Sequence, residues 1–287
     1  MELALGTVQF GLAYGVAGRQ EAVPPVEARA ILARAHALGI RTLDTAAAYG
    51  DIEKRLAGLC GDLDFDIVSK VPALPTGLSA VDAARWAVEQ ADRSRSRLGP
   101  RLKWLMLHRA DDLQGDTGQA LWSALAEWGD RQGVAVGASC YEPAALAGLR
   151  ALPGFAITQL PGNALDQRVR RELEPDPKLA VHLRSAFLQG LLLMDPLEAA
   201  RKLPAASAPL ARWHAWCRET DTPPLRAALS VVRGFAPAVQ ACVVGVDRQA
   251  HLEEIAQAWA ACAPAAAPDL HCDLPEVVDP RLWKPQP

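Results

Sequence analysis

The sequence has few of the features that mark specialised classes of protein. Its six cysteines are scattered and form no CxxC pair, which argues against a zinc site or a disulfide framework and favours free thiols in a reducing cytoplasm. The formal net charge of -3 leaves no basic footprint, so nucleic acid is not an expected partner. No apolar run is long enough to span a bilayer, and the N-terminus does not have the pattern of a signal peptide. We therefore expect a cytoplasmic protein without membrane contact, and a monomer by default.

Short apolar runs alternate with amphipathic segments along the chain. We predict strands over 2–10, 41–43, 65–69, 104–107, 134–137, 155–159, 180–184 and 239–244. Helices are predicted between them, including one whose face carries Val81, Ala84, Val88 and Ala91, and two in the segment 191–236 that are split at Pro223-Pro224. Eight strand–helix units without a linker predict a parallel sheet closed into a (β/α)8 barrel, a single α/β domain over 1–287 with a wrapping tail at 264–287.

A doubly wound open sheet is the alternative fold. It would carry a glycine-rich phosphate loop directly after the first strand. The glycines of residues 11–18 do not have the GxGxxG spacing, so we predict an ordinary loop there.

Several predicted strands end on a polar or charged residue. Asp44, Lys70 and His108 each follow an apolar run, and Tyr49 lies in the loop after the second strand. An unpaired charge is costly to bury, so these side chains make sense if the strand ends share one pocket. In a barrel of this type the active site lies at the C-terminal ends of the strands.

These four residue types suit proton transfer. An ammonium beside a phenol lowers the pKa of the phenol, so Lys70 is expected to act in this way on Tyr49. Asp44 can hold Lys70 charged, and His108 can donate a hydrogen bond to a substrate oxygen. The set predicts an enzyme that gives or takes a proton at a carbonyl or an alcohol.

The sequence resembles the aldo-keto reductase superfamily over almost its whole length. The residues that carry the resemblance are Leu5-Gly6-Thr7, Leu43-Asp44-Thr45, Tyr49-Gly50, Glu53, Ser69-Lys70, Leu107-His108-Arg109, Gly137-Ala138-Ser139, Gln159, Asn163, Leu188-Gln189-Gly190-Leu191, Gly245 and Leu252-Glu253-Glu254. The resemblance implies a barrel that reduces a small-molecule carbonyl compound with NADPH and without a metal. It implies that Tyr49 is the general acid, that Lys70 and Asp44 support it, and that His108 orients the carbonyl.

The resemblance also implies a set of cofactor-binding residues. They are Gly6, Thr7, Asp44, Ser139, Cys140, Gln159, Arg184, Ser185, Phe187, Leu188, Gln189, Gly190, Gly245, Val246, Asp247, Arg248, Leu252 and Glu253. Within it, Ser139 and Gln159 match residues that hold the carboxamide of the nicotinamide. The segment from Ser185 matches the pyrophosphate site, and the segment from Gly245 matches the adenosine-phosphate site.

Three positions depart from the family pattern. Cys140 replaces the usual Asn, and Arg184 stands where many members stack an aromatic ring on the nicotinamide. Arg184 is expected to stack in its place, to meet an acidic substrate, or to pair with an acid such as Asp166. Asp247 stands where a basic residue usually meets the 2′-phosphate, with Arg248 beside it. NADH is therefore an alternative to NADPH.

Two other functions use the same scaffold. Lys70 is a candidate Schiff-base nucleophile of an aldolase, although a carboxylate beside it keeps the amine protonated. A nucleotide-binding sensor or partner subunit without catalysis is the third hypothesis, against which the intact set of four residues argues.

Overall fold

Eight parallel strands form a closed barrel in the computed structural model, which describes residues 1–15 and 21–283. The strands are β1 Glu2–Gly6, β2 Thr42–Asp44, β3 Asp66–Val71, β4 Leu102–Leu107, β5 Ala135–Ser139, β6 Phe155–Pro161, β7 Ala180–Arg184 and β8 Ala241–Gly245. Each strand pairs with the next, and β8 pairs with β1 from Glu2↔Ala241 to Gly6↔Gly245. The predicted single-domain (β/α)8 barrel is confirmed.

Helices connect the strands and surround the barrel. They are α1 Val8–Gly11, α2 Pro25–Ala37, α3 Ile52–Cys60, α4 Ala80–Leu98, α5 Gly115–Gln132, α6 Leu146–Arg150, α7 Pro196–Lys202, α8 Ser207–Glu219, α9 Pro224–Arg233, α10 Gln249–Ala261 and α11 Pro275–Val278. Short 3-10 turns complete the connections. In the described ranges, no helix has both the length and the apolar character needed to cross a bilayer.

The main core lies between the strands and the surrounding helices. Side chains such as Leu43, Ile67 and Leu105 point outward from the barrel and pack on the helices. A second, small cluster of Val68, Met106 and Ile157 forms a separate packed group. Because side chains alternate between the two faces of a strand, residues two positions after the members of this inner cluster also face the barrel interior.

This alternation aligns one candidate site residue from each strand. Counting from the inner cluster and from the register of the pairs, the inward-facing residues at the C-terminal strand ends are Gly6, Asp44, Lys70, His108, Ser139, Gln159, Arg184 and Gly245. The closed barrel therefore places all eight around one ring, at the end where barrel enzymes build their sites.

Three local predictions are wrong. Residues Val8–Gly11 form a helical turn and do not continue the first strand. The buried face of α4 carries Ala83, Ala87 and Ala91, while Val81 is 75% exposed. The segment 191–236 holds three helices, because Asp195 caps α7 by accepting from the backbone of Leu197 at 2.9 Å. The predicted split at Pro223-Pro224 is confirmed, since α9 starts there. Of the predicted loop 11–18, residues 16–18 lie outside the described ranges.

Gly11 brings the first loop against the loop that carries Tyr49. A Cβ added at Gly11 would lie 2.0 Å from the backbone oxygen of Tyr49, so no side chain fits there without moving the backbone. The loop after β2 is tied to β3 as well, because Thr45 N donates to Val68 O and Ala47 N donates to Lys70 O. Two neighbouring elements therefore fix the backbone around Tyr49.

The C-terminal segment packs across the barrel and ends beside the loop after β5. Cys272 N donates to Leu165 O at 2.9 Å, and Val277 and Val278 are buried. The Arg281 guanidinium then lies 3.7 Å from the centre of the Tyr141 ring. Residues 284–287 of the predicted tail lie outside the described ranges.

Candidate active site

A buried ion pair lies at the centre of the ring of strand ends. The Lys70 ammonium donates to both carboxylate oxygens of Asp44, at 2.8 and 2.7 Å, and to the Thr45 backbone oxygen at 3.0 Å. Lys70 is 1% exposed and Asp44 is 4% exposed. All three ammonium hydrogens therefore have acceptors, as burial of a charge requires.

Tyr49 and His108 lie on the solvent side of this pair. The Lys70 ammonium is 5.6 Å from the centre of the Tyr49 ring. The rings of Tyr49 and His108 meet edge to face, with their centres 5.8 Å apart. The four side chains predicted from separate strand ends therefore form one cluster.

The electrostatics of Tyr49 differ from the prediction. The pKa of the phenol is raised, first because burial disfavours the phenolate and second because the Asp44 carboxylate repels it. The net shift is therefore opposite to the predicted lowering by Lys70, since burial and the Asp44 carboxylate raise the pKa of Tyr49 and the charge of Arg184 only partly opposes them. Burial also lowers the pKa of Lys70, against the opposing effect of Asp44. The phenol keeps its proton at neutral pH, as a proton donor must.

His108 is neutral at pH 7. Burial lowers the pKa of its imidazole to about 4, and the positive charge of Lys70 adds to the effect. A neutral imidazole has one N–H to donate and no charge to repel a cation. The ring can therefore offer a hydrogen bond to a carbonyl oxygen without itself changing charge.

Glu53 connects α3, β3 and α4 behind the cluster. Its carboxylate is 2% exposed and accepts hydrogen bonds from the hydroxyls of Ser69 and Ser94 and, at 2.9 Å, from Arg97. Because Ser69 precedes Lys70 in β3, this network fixes the strand end from the outer face. A fully satisfied buried carboxylate of this kind holds several elements in one arrangement.

An elongated cleft opens above the cluster and runs from Tyr49 across the ends of β7, β8 and β1. Eleven of the predicted cofactor-binding residues line it: Gly6, Asp44, Gln159, Arg184, Ser185, Phe187, Gln189, Gly190, Gly245, Val246 and Asp247. Asp247 lies just before α10. Five of the eight strand-end residues, Gly6, Asp44, Gln159, Arg184 and Gly245, thus line one cavity of about 600 Å³, within the range of ligand sites. Lys70, His108 and Ser139 are not among the residues that line it.

Other predicted cofactor residues lie away from the cleft wall. Leu188 and Leu252 are fully buried in the main core, so their side chains do not face a ligand. Glu253 pairs with Arg34 of α2 at 2.9 Å, and it is its neighbour Glu254 that lines the cleft. Arg248 does not line the cleft; its side chain is 56% exposed, and its Nε lies 3.4 Å from the Asp247 carboxylate. Cofactor binding by these four residues therefore stays a prediction, which would require backbone contacts at Leu188 and Leu252.

Ser139 and Gln159, which the resemblance assigned to the nicotinamide carboxamide, have other surroundings in this structure. The amide nitrogen of Gln159 donates to Asp44 at 2.8 Å, so this side chain helps to hold the ion pair. Ser139 is 3% exposed at the end of β5, and Thr7 donates its hydroxyl to the Asp44 backbone oxygen at 3.0 Å. The Cys140 thiol donates to the Glu142 backbone oxygen. Ser139, Thr7 and Cys140 surround the cleft without lining it.

Arg184 does not pair with Asp166, as one of its predicted alternatives required. Asp166 is fully buried and accepts from Arg168 at 2.9 and 3.0 Å. The Arg184 guanidinium lies instead over the Tyr141 ring, 3.8 Å from its centre. The pairing with Asp166 is therefore wrong, and Arg184 remains available to the cleft that it lines.

Sequence reasoning missed part of the cleft wall. Among the missed residues are Gln9, Met194, Asp195, Glu198, Leu225, His251 and Glu254. Most come from α7, α9 and α10, whose inward faces depend on how those helices cross the barrel. His251 had a local signal, since it lies four residues after Asp247 on a helix, and its ring nitrogen is 2.9 Å from that carboxylate.

The sequence itself decides the family. The sequence model described as the Aldo/keto reductase family matches residues 2–265. The chain belongs to the aldo/keto reductase family. Membership supports carbonyl oxidoreductase activity in general, and the family generally uses NAD(P)H.

Solved structures of aldo-keto reductases resemble this member of the family. A protein from Pseudomonas aeruginosa that is described as an aldo-keto reductase is 26% identical to this chain with a TM-score of 0.64, and the match covers 90% of this chain and 89% of that one. The holo form of an aldo-keto reductase from Bacillus halodurans is 20% identical (TM-score 0.68, 93% and 88% covered). A glycerol dehydrogenase from Gluconobacter oxydans is 16% identical, with a TM-score of 0.68, and the match covers 92% of this chain and 87% of that one. The last two show the fold alone. A search of curated proteins gave no match.

The cleft of this aldo/keto reductase fits a dinucleotide. A Cβ added at Gly245 would lie 2.4 Å from the side chain of Gln9, so bare backbone forms this part of the wall. Gln9 also has a buried amide oxygen without a partner among the described residues. Ser185, Leu188 and Gln189 have positive φ angles of 63°, 48° and 53°. Strained backbone of this kind concentrates at ligand sites.

His182 makes the stability of the reductase depend on acid pH. Its ring is 4% exposed, lies 6.1 Å from Trp104, and burial lowers its pKa to about 4. In the unfolded chain the pKa is near 6.5. The unfolded state therefore binds more protons between pH 6.5 and 4, and the free energy of unfolding falls as the pH falls through this window.

We expect His182→Leu to reduce this acid sensitivity. Between pH 7 and pH 5 the buried histidine is expected to cost about 2 kcal/mol, and urea unfolding of both proteins at the two pH values measures the difference. His182 Nδ1 has no partner among the described residues, so its removal breaks no hydrogen bond at that atom. An equal loss of stability in the variant would contradict this assignment.

Proposed function

We propose that the chain is an NAD(P)H-dependent reductase that converts an aldehyde or ketone to an alcohol. The observation that carries the proposal is the cluster of Asp44, Lys70, Tyr49 and His108 at the base of a cleft that fits a dinucleotide. When bound, the reduced nicotinamide supplies a hydride to the carbonyl carbon. The protein supplies the proton and orients the substrate.

Tyr49 is the proton donor in this proposal. Its raised pKa keeps the phenol protonated until a substrate oxygen begins to gain negative charge. The Lys70 ammonium, 5.6 Å from the ring centre, then stabilises the phenolate that forms. Asp44 holds Lys70 in place, and the neutral His108 donates a hydrogen bond to the carbonyl oxygen.

The cleft wall would hold the cofactor along its length. Gly6 and Gln159 line the cleft from the ends of β1 and β6, the turn from Ser185 to Gly190 follows β7, and Val246 and Asp247 follow β8. We propose that the turn after β7 faces the pyrophosphate and that the residues after β8 face the adenosine. The protein is proposed to act as a monomer on a small molecule.

The Schiff-base alternative is less favoured by the geometry. The lowered pKa of Lys70 would help a nucleophilic amine. However, its nitrogen donates to three oxygens and is 1% exposed. An amine that is protonated, hydrogen-bonded and screened from the cleft has no lone pair to attack a carbonyl.

We expect titration with reduced nucleotides, followed by cofactor fluorescence, to show tight binding with NADH favoured over NADPH by about tenfold. Asp247 and Glu254 line the cleft, whereas Arg248 does not and instead pairs with Asp247 at 3.4 Å. A 2′-phosphate near carboxylates loses roughly 1 kcal/mol or more at surface-like dielectric. Binding is measured without substrate, so it does not depend on knowing the carbonyl compound.

The variant Asp247→Asn tests the origin of the preference. It removes one negative charge and is expected to bring the two dissociation constants closer by strengthening NADPH. Arg85→Gln on the outer face of α4, where Arg85 pairs with Asp82, is the matched control. If neither nucleotide binds, hydride transfer from a nicotinamide is excluded, and the Schiff-base mechanism at Lys70 becomes the leading hypothesis.

A further inference from the structure

Arg184 brings an uncompensated positive charge to the cleft. It ends β7 on the inward face and lines the same cavity as Tyr49 and Gln159. Its hydrogen bonds are long and go to neutral acceptors, the Ser185 hydroxyl and the Cys140 backbone oxygen, both at 3.4 Å. A guanidinium has five N–H donors, so most of its capacity is unused.

The acids around Arg184 are engaged elsewhere. Asp44 accepts from Lys70 and Gln159. Asp279 forms a forked pair with Arg281, with distances from 2.6 to 3.0 Å. Within residues 1–15 and 21–283, no carboxylate lies within 4.0 Å of the Arg184 guanidinium. An anion in the cleft would therefore meet a cation that forms no ion pair with these carboxylates, although the charge of Arg184 also helps to lower the pKa of Asp279.

Tyr141 holds the guanidinium in a fixed orientation. The Arg184 and Arg281 guanidinium carbons lie 3.8 and 3.7 Å from the centre of its ring. Two groups so close to one centre would collide on the same face, so they cover opposite faces of the ring. Asp279 in turn locks Arg281. A stacked guanidinium is preorganised, and less entropy is lost when it binds a planar carboxylate.

The charge of Arg184 also reaches the catalytic cluster. It contributes to lowering the pKa of His108 and opposes the rise in the pKa of Tyr49. Because Arg184 and Tyr49 line the same cleft, a small molecule whose anionic group binds Arg184 would place its carbonyl group in the cavity that Tyr49 lines.

The geometry points to Arg184 as the residue that binds a carboxylate carried by the carbonyl substrate, which makes oxo acids the substrate class. This inference rests on the proposed reductase function, which supplies the carbonyl site beside it. Arg184 offers a paired N–H edge to a carboxylate, as guanidinium groups do in bidentate pairs. A neutral aldehyde of the same shape would leave the charge unmatched and bind less tightly.

The test compares 4-carboxybenzaldehyde with its methyl ester, in wild type and in Arg184→Gln, at a saturating concentration of the reduced nucleotide that binds. We expect the variant to raise KM for the acid tenfold or more, as befits the loss of hydrogen bonds to a charged group. The KM for the ester is expected to change less than twofold. Because Arg184 lines the cofactor cleft and its charge acts on His108 and Tyr49, a change in kcat or in nucleotide affinity should be the same for both aldehydes, so the ratio of the two KM values is the readout. Arg184→Lys should restore part of the preference, and Arg85→Gln should alter none of these values.

A binding measurement keeps the inference separate from the reductase proposal. Benzoate is titrated into the nucleotide-loaded protein, or into the protein alone if no nucleotide binds, and the rise in melting temperature is followed. Wild type should be stabilised and Arg184→Gln should not. Equal benzoate binding by both proteins, or equal effects of the substitution on acid and ester, would each overturn the inference. Failure of wild type to reduce either aldehyde would count against the reductase function alone.

Discussion

Replacing Tyr49 with phenylalanine is expected to lower kcat for carbonyl reduction by about 10²- to 10⁴-fold, the range typical for a lost general acid. The substitution removes only the hydroxyl and keeps the ring that meets His108 edge to face. No hydrogen-bond donor of comparable acidity replaces it, because Lys70 has all its hydrogens directed to Asp44 and Thr45. Steady-state kinetics with an aldehyde and a reduced nucleotide provide the measurement.

Cofactor binding separates loss of the proton donor from loss of the fold. The dissociation constant of the reduced nucleotide should change less than threefold in Tyr49→Phe, because the cleft wall is unaltered. Tyr14→Phe removes the other phenol that lines the cleft and is expected to lower kcat less than tenfold. Retained turnover in Tyr49→Phe would exclude Tyr49 as the donor.

The strand ends could be predicted because the barrel imposes a simple pattern on them. Buried parallel strands appear in sequence as apolar runs, and a polar residue at the end of such a run stands out. Asp44, Lys70 and His108 all follow this pattern, and closure of the sheet brings them together. Tyr49 lies in a loop and has no periodic signal of its own, so only its position after the second strand indicated it, and family resemblance then implied its role as general acid.

Side chains in loops and at helix starts could not be predicted in the same way. Leu252 and Glu253 are adjacent at the start of α10, yet one packs in the core and the other pairs with Arg34 of α2. Which side faces the cleft depends on the rotation of the helix against the barrel. The partner of Arg184 was missed for the same reason, since Tyr141 comes from a different loop.

The sign of a pKa shift is also a property of the folded environment. The sequence placed an ammonium near a phenol, which predicts a lowered pKa for Tyr49. The fold adds burial and the Asp44 carboxylate, and their combined effect raises it. The sequence can indicate which charged groups lie near a phenol, but it does not give the relative size of their effects on its pKa.

Replacing Lys70 with methionine is expected to cost about 3–5 kcal/mol of unfolding free energy, the range for breaking a buried ion pair by removing one partner. Methionine keeps much of the apolar volume, but Asp44 then remains charged at 4% exposure, with Gln159 as its remaining side-chain donor. Urea unfolding at pH 7 gives the free energy. Carbonyl reduction should fall as well, because the phenolate of Tyr49 loses its stabilising cation.

The double variant Asp44→Asn/Lys70→Met distinguishes a coupled pair from two independent losses. If the cost of Lys70→Met comes from an orphaned carboxylate, neutralising Asp44 should return about 2 kcal/mol or more, since contacting residues show interaction energies of 0.5–3 kcal/mol. Additive losses in the double variant would contradict this view of the pair. Stability and activity should then separate: the double variant recovers folding free energy, but it still lacks the ammonium beside Tyr49 and should not recover turnover. Such a result would mean that folding does not require the Asp44–Lys70 ion pair. The function of the pair would then be to place a positive charge beside Tyr49.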